Sequence, residues 1–486
     1  MFLNLWRARF RIRYGKPAYA LPAVALLLLT CGHVARAQSP DDAKAKEFTL
    51  EEAVDFALKN YPAVRASLER VRSAQAGVDV ARTTYLPRTD ILWQTNRATD
   101  NNITGLLIPN SVTAPITGSV TLSPSNHSAW GSAGGLLFSW EPLDFGYRGA
   151  RVDEARAAQN RAAAEASLTR LDVTVATVNA YLTLLAAEQT VRAAQADVER
   201  RETFAKSVHV LVDNQLRAGA DASRADAELA RARVNQARAQ QQAATSRAAL
   251  ANILGIADQS VEVREGVLLG APPSAAPAPS SVATNPFAEA QKARVQESES
   301  LVHALERSYY PKLYLQSVVM GRGSGVDPNG KFLGGSEGLG LDRANWAAGV
   351  TVTFPVFDIF SIKSKKAVEA ANERAEQARY DQSLQDLTGQ LRKAQASLEG
   401  ARKVAENTPL ELDAARTTET QERARYQAGL ATLVDVSDAQ SFLVQSEIDD
   451  ALARLAVWQN LASVAAAQGD LTPFLQSLRD AAQGAH

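Results

Sequence analysis

Side chains able to do acid–base, nucleophilic or metal chemistry are few in this chain and far apart. Its five histidines, His33, His127, His209, His303 and His486, fall in no HExxH spacing, and no GxSxG or paired-cysteine motif accompanies them. His209 and His303 each stand alone in a helical pattern, where a surface or packing role is the ordinary outcome. The run Gly321 to Gly325, GRGSG, has no helix pattern after it, so it reads as a loop tip and not as a phosphate cradle. These residues predict no enzyme, no metal site and no cofactor. A balance of 52 basic against 53 acidic residues also removes the electrostatic footprint of a nucleic-acid binder.

With chemistry set aside, the N-terminus addresses the chain to a compartment. A basic stretch from Arg7 to Lys16 runs into the apolar Leu21 to Thr30 and then Ala35-Arg36-Ala37, the plan of a secretory signal peptide cleaved after Ala37. The apolar run is well short of the roughly 20 residues a spanning helix needs. Cys31, the sole cysteine, lies in this leader, so the mature chain has no thiol, which suits an oxidising compartment. The rival reading, a lipidated Cys31, meets a bulky Thr30 where Gly or Ala is usual.

Two halves of the mature chain repeat the same landmarks. Pro62 is followed 25 residues later by Pro87 in Tyr85-Leu86-Pro87, and Pro286 is followed 25 residues later by Pro311 in Tyr309-Tyr310-Pro311. Asp144 corresponds to Asp358, and Arg217-Ala218-Gly219 is matched to Gln427-Ala428-Gly429, with Asp-to-Gly intervals of 75 and 71 residues. Between the halves, the Pro-, Ala- and Ser-rich Ala271 to Pro286 reads as a surface linker. The expected layout is a leader over 1–37, a first unit over 48–255, a linker over 256–285, a second unit over 286–471 and a tail over 472–486.

Within each unit, a stretch rich in Ala, Glu, Arg, Gln and Leu predicts a long helix, about 148–212 and about 361–426. At 1.5 Å per residue each would reach on the order of 100 Å. Scattered charges exclude a membrane helix, and small apolar residues on more than one face permit side-by-side packing in a curved wall. A two-stranded coiled coil is the plainer alternative for these helices alone.

Just before the rods the period changes to two. Trp130, Ser132, Gly134, Leu136, Phe138 and Trp140 share one face, as do Trp346, Ala348, Val350, Val352 and Phe354. An apolar face with Trp130, Trp140, Trp346 and Phe354 at its ends is the pattern of an outer-membrane strand with an aromatic girdle. The expected strands are about 85–97, 130–142, 311–321 and 346–356, with loops over Asp100 to Ser128 and Gly321 to Asn345. Four strands leave open edges in lipid, so the chain must oligomerise: two copies give about eight strands and three give about twelve, with room for a pore.

From FTLEEAVDFALKNYP at Phe48 to about Leu471 the chain resembles the TolC family of outer-membrane efflux proteins, most specifically in YQAGLATLVDVSDAQ, Tyr426 to Gln440. The resemblance implies a mainly α fold with a membrane β-barrel: long periplasmic helices, and four transmembrane strands per chain completing a shared twelve-stranded barrel in a homotrimer. It further implies an exit duct in the cell outer membrane that docks a periplasmic adaptor protein and, through it, an inner-membrane pump. A periplasmic coiled-coil scaffold or adaptor without a barrel is the competing non-enzyme reading.

The same resemblance implies a constriction ring at Asp435 and Asp438 and an adaptor-contacting tip at Gly219, Tyr426 and Gly429. Physically, three copies of two carboxylates about a narrow axis favour cations, whereas the bland reading is two solvated carboxylates near a helix start. Gly219 and Gly429 are expected to allow the turns by taking positive φ. Ala431 stands where some members carry an arginine, and Arg224 and Ala225 where a polar residue and an Asp often occur, so the first tip departs from the pattern.

Overall fold

The structure, a computed structural model, describes residues 46–99, 127–270, 281–327 and 329–484. The leader with Cys31, the expected loop over 100–126 and the Pro/Ala/Ser run over 271–280 lie outside the described residues.

The elements repeat in order. A short strand β1 (Lys46–Phe48) precedes α1 (Leu50–Asn60), and the first unit continues with α2 (Pro62–Thr83), β2 (Arg88–Thr99), β3 (Ser128–Leu143), α3 (Tyr147–Asp213) and α4 (Gly219–Ile253). After a short β4 (Val261–Val263), the second unit runs α5 (Pro286–Arg307), β5 (Lys312–Ser324), β6 (Arg343–Thr353), α6 (Asp358–Gln427) and α7 (Leu433–Gln468), and α8 (Thr472–Gly484) follows. Helices α2 and α5 are both 22 residues long and both begin at a proline, whose missing N–H is no loss in the first turn. The rods α3 and α6 are 67 and 70 residues, and their return helices α4 and α7 are 35 and 36.

The four long strands form one antiparallel sheet in the order β2-β3-β5-β6, leaving β2 and β6 as edges. Its register sets Ile91 opposite Leu136, Leu136 opposite Val319, and Val319 opposite Trp346, one apolar row across all four strands. Strand β5 runs through Gly321 to Ser324, so most of the GRGSG run is strand and not loop tip. The reason is steric: Gly321 and Gly323 lie against Leu341, Gly338 and Gly340 of the returning loop, where a Cβ would not fit.

The main core lies halfway along the rods. Tyr181, Leu184 and Leu185 of α3, Leu250 of α4, and Trp458 and Leu461 of α7 pack with Phe48, Val54, Val261 and Leu268. Burial on this scale is the dominant stabilising term of the region. Tyr181 places its hydroxyl 2.6 Å from the Arg264 carbonyl and 3.0 Å from that of Phe48, so it ties β1 and the segment after β4 to the rod. The described part of the expected linker over 256–285 is therefore built into the fold: β4 pairs parallel with β1, and Leu268 is buried. The expected tail over 472–486 also packs, because Phe474 and Leu478 recur one helical turn apart and bury against this core, Phe474 edge-on to Trp458.

Away from that core the contacts along the rods are mostly alanine, for instance Ala157, Ala166, Ala232, Ala239 and Ala243. No helix among the described residues is long and apolar enough to cross a membrane.

Candidate functional site: the sheet face and the helix tips

On the sheet, exposure separates the two faces. Val319 is 62% exposed while its neighbour Val318 is 9% exposed, so the side carrying Val318 is the concave one. The outer face carries Ile91, Trp93, Leu136, Val319, Trp346 and Val350, all exposed. The concave face carries Asp90, Gln94, Gln316, Arg322, Arg343 and Asn345 alongside Leu92, Leu137, Tyr314 and Met320.

Trp130 and Trp140 sit toward the two ends of β3, roughly 33 Å apart along a strand, or about 25 Å in height at the usual barrel tilt. Trp140 donates from Nε1 to the Tyr85 carbonyl at 3.1 Å, and the Arg97 guanidinium lies 5.2 Å from the Trp130 ring. Trp346, 79% exposed, is in register with Leu136, six residues along β3 from Trp130, so its bracket is offset along the sheet from that of β3. Phe354 stands one residue past β6, also exposed.

At the far end of the rods the chain turns twice. Each turn closes with the same pair of bonds: Gln215 N donates to Val212 O and Leu216 N to Leu211 O, and Gly429 N donates to Tyr426 O and Leu430 N to Arg425 O. This is the helix-terminating motif that needs one left-handed residue. In the second tip that residue is Gly429, with φ 79°; in the first it is Gln215, with φ 62°. Gly219 does not take positive φ; it begins α4 after Ala218, so the turn role expected of it belongs to Gln215. The corrected pairing also equalises the repeat: Asp144 to Gln215 and Asp358 to Gly429 each span 71 residues.

Under this correspondence Asp221 matches Asp435. Asp221 accepts from the Tyr426 hydroxyl at 3.3 Å, and Arg217 donates to the Tyr426 carbonyl at 2.6 Å with its guanidinium 4.3 Å from the Tyr426 ring. The ring itself is buried, edge-on to Phe204, within Val208, Ala225, Leu433 and Val436. Burial first, and the Asp221 charge second, raise the Tyr426 phenol, so it stays a neutral donor. Sequence reasoning missed Arg217 and Asp221; the equal 71-residue spacing was the available signal.

Thr432 and Asp435 form a capping box at the start of α7. Asp435 Oδ2 takes the Thr432 N–H at 2.7 Å and its hydroxyl at 2.8 Å, and those two bonds, in that order, hold the carboxyl below its ordinary value. Asp438 is exposed one turn later on the same side of the helix.

Above the tips, two arginines join the hairpins. Arg200 makes a two-pronged pair with Glu447 at 3.1 and 2.8 Å, and the buried Arg201 reaches Asp197 at 2.9 Å, Glu228 at 3.3 Å and Ser441 at 3.0 Å. His209 meets Asp226 at 2.9 Å; the hydrogen bond and then the charge of Asp226 raise its pKa. His303 has Glu306 at 3.6 Å on the helix surface.

The family model described as Outer membrane efflux protein matches residues 53–256 and 280–470, most of both repeats. The chain belongs to that family. An outer membrane efflux protein is an exit duct in the outer membrane with a helical periplasmic extension, and both the lipid-facing sheet and the rods are the parts of such a duct. This sets aside the scaffold without a barrel.

Solved structures share the fold. The Campylobacter jejuni CmeC outer membrane channel is 17% identical, with 89% of each chain covered and a TM-score of 0.70. CusC, described through its folding and transmembrane channel formation, is 14% identical over 93% of this chain and 99% of its own, with a TM-score of 0.72. The Neisseria gonorrhoeae MtrE channel in its open state is 19% identical over 87% and 89%, with a TM-score of 0.67. Family and neighbours alike are channels. No curated protein matches the chain in sequence.

Proposed function

We propose that three copies of this chain close a twelve-stranded barrel and a periplasmic tunnel, carry substrates outward without catalysis, and narrow the tunnel entrance with Asp435 and Asp438. The observation that supports this most is the sheet: one apolar face, two open edges, and helices attached at only one end. An edge left in lipid strands backbone groups at several kcal/mol each, and pairing β2 of one copy with β6 of the next removes both edges.

The tips give the entrance its chemistry. Asp435 is held ionised by Thr432, both of whose bonds to it fall on Oδ2, and Asp438 lies exposed beside it. Six such carboxylates about one axis form a cation-preferring, cation-blocked mouth. Tyr426, held by Arg217 and Asp221, keeps the second hairpin closed on the first, and the exposed turns around Gly219 and Gly429 offer the contact for a periplasmic adaptor that links to an inner-membrane pump. The exposed Trp140, Trp346 and Phe354 and the half-buried Trp130 form the girdle in outer-membrane lipid.

Single-channel recording in planar bilayers tests the reading. Purified protein should insert as an oligomer and give discrete currents blocked by multivalent cations, and D435N/D438N should lose most of the block while still inserting. Unchanged block in that variant would remove the ring.

A further inference from the structure

We propose that a recess in the helical wall, facing the tunnel, binds an amphipathic zwitterion: Asp172 takes its ammonium, Lys393 its carboxylate, and Leu168, Leu171, Val175 and Leu387 its apolar body. The proposal rests on the channel reading above.

The recess arises from a break in the wall. Between the rods α3 and α6 the wall is α7 on the tip side and α5 on the barrel side, and α7 ends at Gln468 where α5 begins at Pro286. Asn285 joins the two ends, donating from Nδ2 to the carbonyls of Ala466 and Ala467 at 3.2 and 3.0 Å and accepting the Phe287 N–H at 2.9 Å. Carbonyls that a helix end leaves orphaned are thereby satisfied. The small Ser463, Ala466 and Ala467 keep the floor low, so a space of about 770 Å³ opens between the rods, a size suited to a small molecule. Recess and core lie on opposite sides of the wall. On α7, Asn460, Ser463 and Ala467 turn away from Trp458, Leu461 and Ala465, and on α3, Leu168, Asp172 and Asn179 turn away from Val173, Tyr181 and Leu184. The core side carries β1, β4 and α8, which would plug a tunnel from within, so the recess side is the lumen.

Among the residues lining the recess the charged ones are Asp172 on the α3 wall and Lys393 on the α6 wall. With one helix between the rods, their axes are roughly 16–20 Å apart. The two charges do not meet: neither makes an ion pair or hydrogen bond with a described residue, and partial burial alone raises the Asp172 carboxyl, with no cation to offset it. Within one helical turn of the lining residues, Glu165 is taken by Arg161 and Arg294, Glu399 by Lys403 and Asp470 by the Thr472 N–H, while Arg170, Glu289, Asp386 and Arg392 do not line the space. A lone ammonium would match one wall and be repelled by the other, and so would a lone carboxylate. A solute carrying both, joined by an apolar body, complements both walls at once. A neighbouring copy joins at the lateral edges and does not fill a recess enclosed by α3 and α6 of one chain, so three copies would set three such recesses around the lumen, level with the core.

The test is fluorescence energy transfer from Trp458 to Nα-dansyl-lysine, a zwitterion with an apolar ring system, titrated onto the purified oligomer in lipid nanodiscs. Trp458 is on α7, across that helix from the recess, whereas Trp93, Trp130, Trp140 and Trp346 belong to the sheet. We expect saturable transfer that Trp458→Phe removes, and binding roughly tenfold tighter than that of dansylcadaverine, which lacks the carboxylate, or of dansyl-norleucine, which lacks the ammonium. Lys393→Gln should erase the advantage over dansylcadaverine and Asp172→Asn the advantage over dansyl-norleucine, each weakening dansyl-lysine about tenfold through loss of one charge-assisted contact. Both side chains are exposed and hold no other element in place, so the variants should assemble as wild type does. Equal binding of the three probes, unchanged binding in either variant, transfer retained in Trp458→Phe, or no saturable transfer at all overturns the recess and leaves the channel reading intact. Wild-type protein that carries no current in planar bilayers overturns the channel reading and the lumenal placement with it.

Discussion

Tyr426 concentrates the closing interactions of the tips in one side chain, because its ring, its hydroxyl and its backbone carbonyl each meet a different partner. Phe204 packs against the ring edge, Arg217 covers its face and binds the carbonyl, and Asp221 takes the hydroxyl. A buried hydroxyl bonded to a carboxylate contributes about 1.5–3 kcal/mol, and truncating a buried aromatic ring removes about 3–5 kcal/mol of packing. Tyr426→Phe should therefore raise resting conductance modestly and Tyr426→Ala strongly, with oligomer assembly retained. Equal conductance of Tyr426→Ala and wild type would sink the closing role. Asp435 acts at the same scale through pH. Its folded pKa is lowered, so the cap's contribution is present above the unfolded value, ordinarily near 3.8, and is lost only as pH falls through the lowered folded one. The second tip thus keeps both its cap and its charge across the neutral range.

Elements were more legible in the sequence than the joints between them. Period-two patterning placed the four strands and helix-favouring composition placed both rods, since each signal repeats over many residues. The turns depend on single residues: Gly219 resembled Gly429, while the left-handed position of the first tip is filled by Gln215, a residue type with no turn signature. Arg217 and Asp221 were lost with that register error, and β4 was hidden because three residues carry no period. The correction makes a prediction at this scale. A non-glycine residue in left-handed conformation is disfavoured by roughly 1 kcal/mol, so Gln215→Gly should steady the first tip by about 0.5–1 kcal/mol and Gly429→Ala should loosen the second by a similar amount. Hydrogen exchange at the Leu216 and Leu430 amides, which close the two turns, reads this directly. Faster exchange at Leu216 in Gln215→Gly would mean that the side chain has a role the backbone does not reveal.

For the whole molecule, the decisive quantity is the number of copies that close the sheet. Each chain brings four strands with free edges at β2 and β6, and beside the β6 edge it exposes Phe354, Val356, Phe357 and Phe360 where strand passes into rod. Eight strands would fill their own interior with side chains, whereas twelve leave a lumen that the concave row of Gln94, Arg322 and Arg343 can line. Cys31 is the sole cysteine of the sequence, so in a Cys31→Ser background two cysteines per chain, one on β2 and one on β6, report only on edge pairing. Oxidised in the membrane, pairs in register should give covalent dimers and trimers and nothing larger, because the third copy returns to the first. A ladder continuing to four or more would replace the closed ring with a larger one, and products stopping at the dimer would confine the barrel to eight strands and leave no room for the duct.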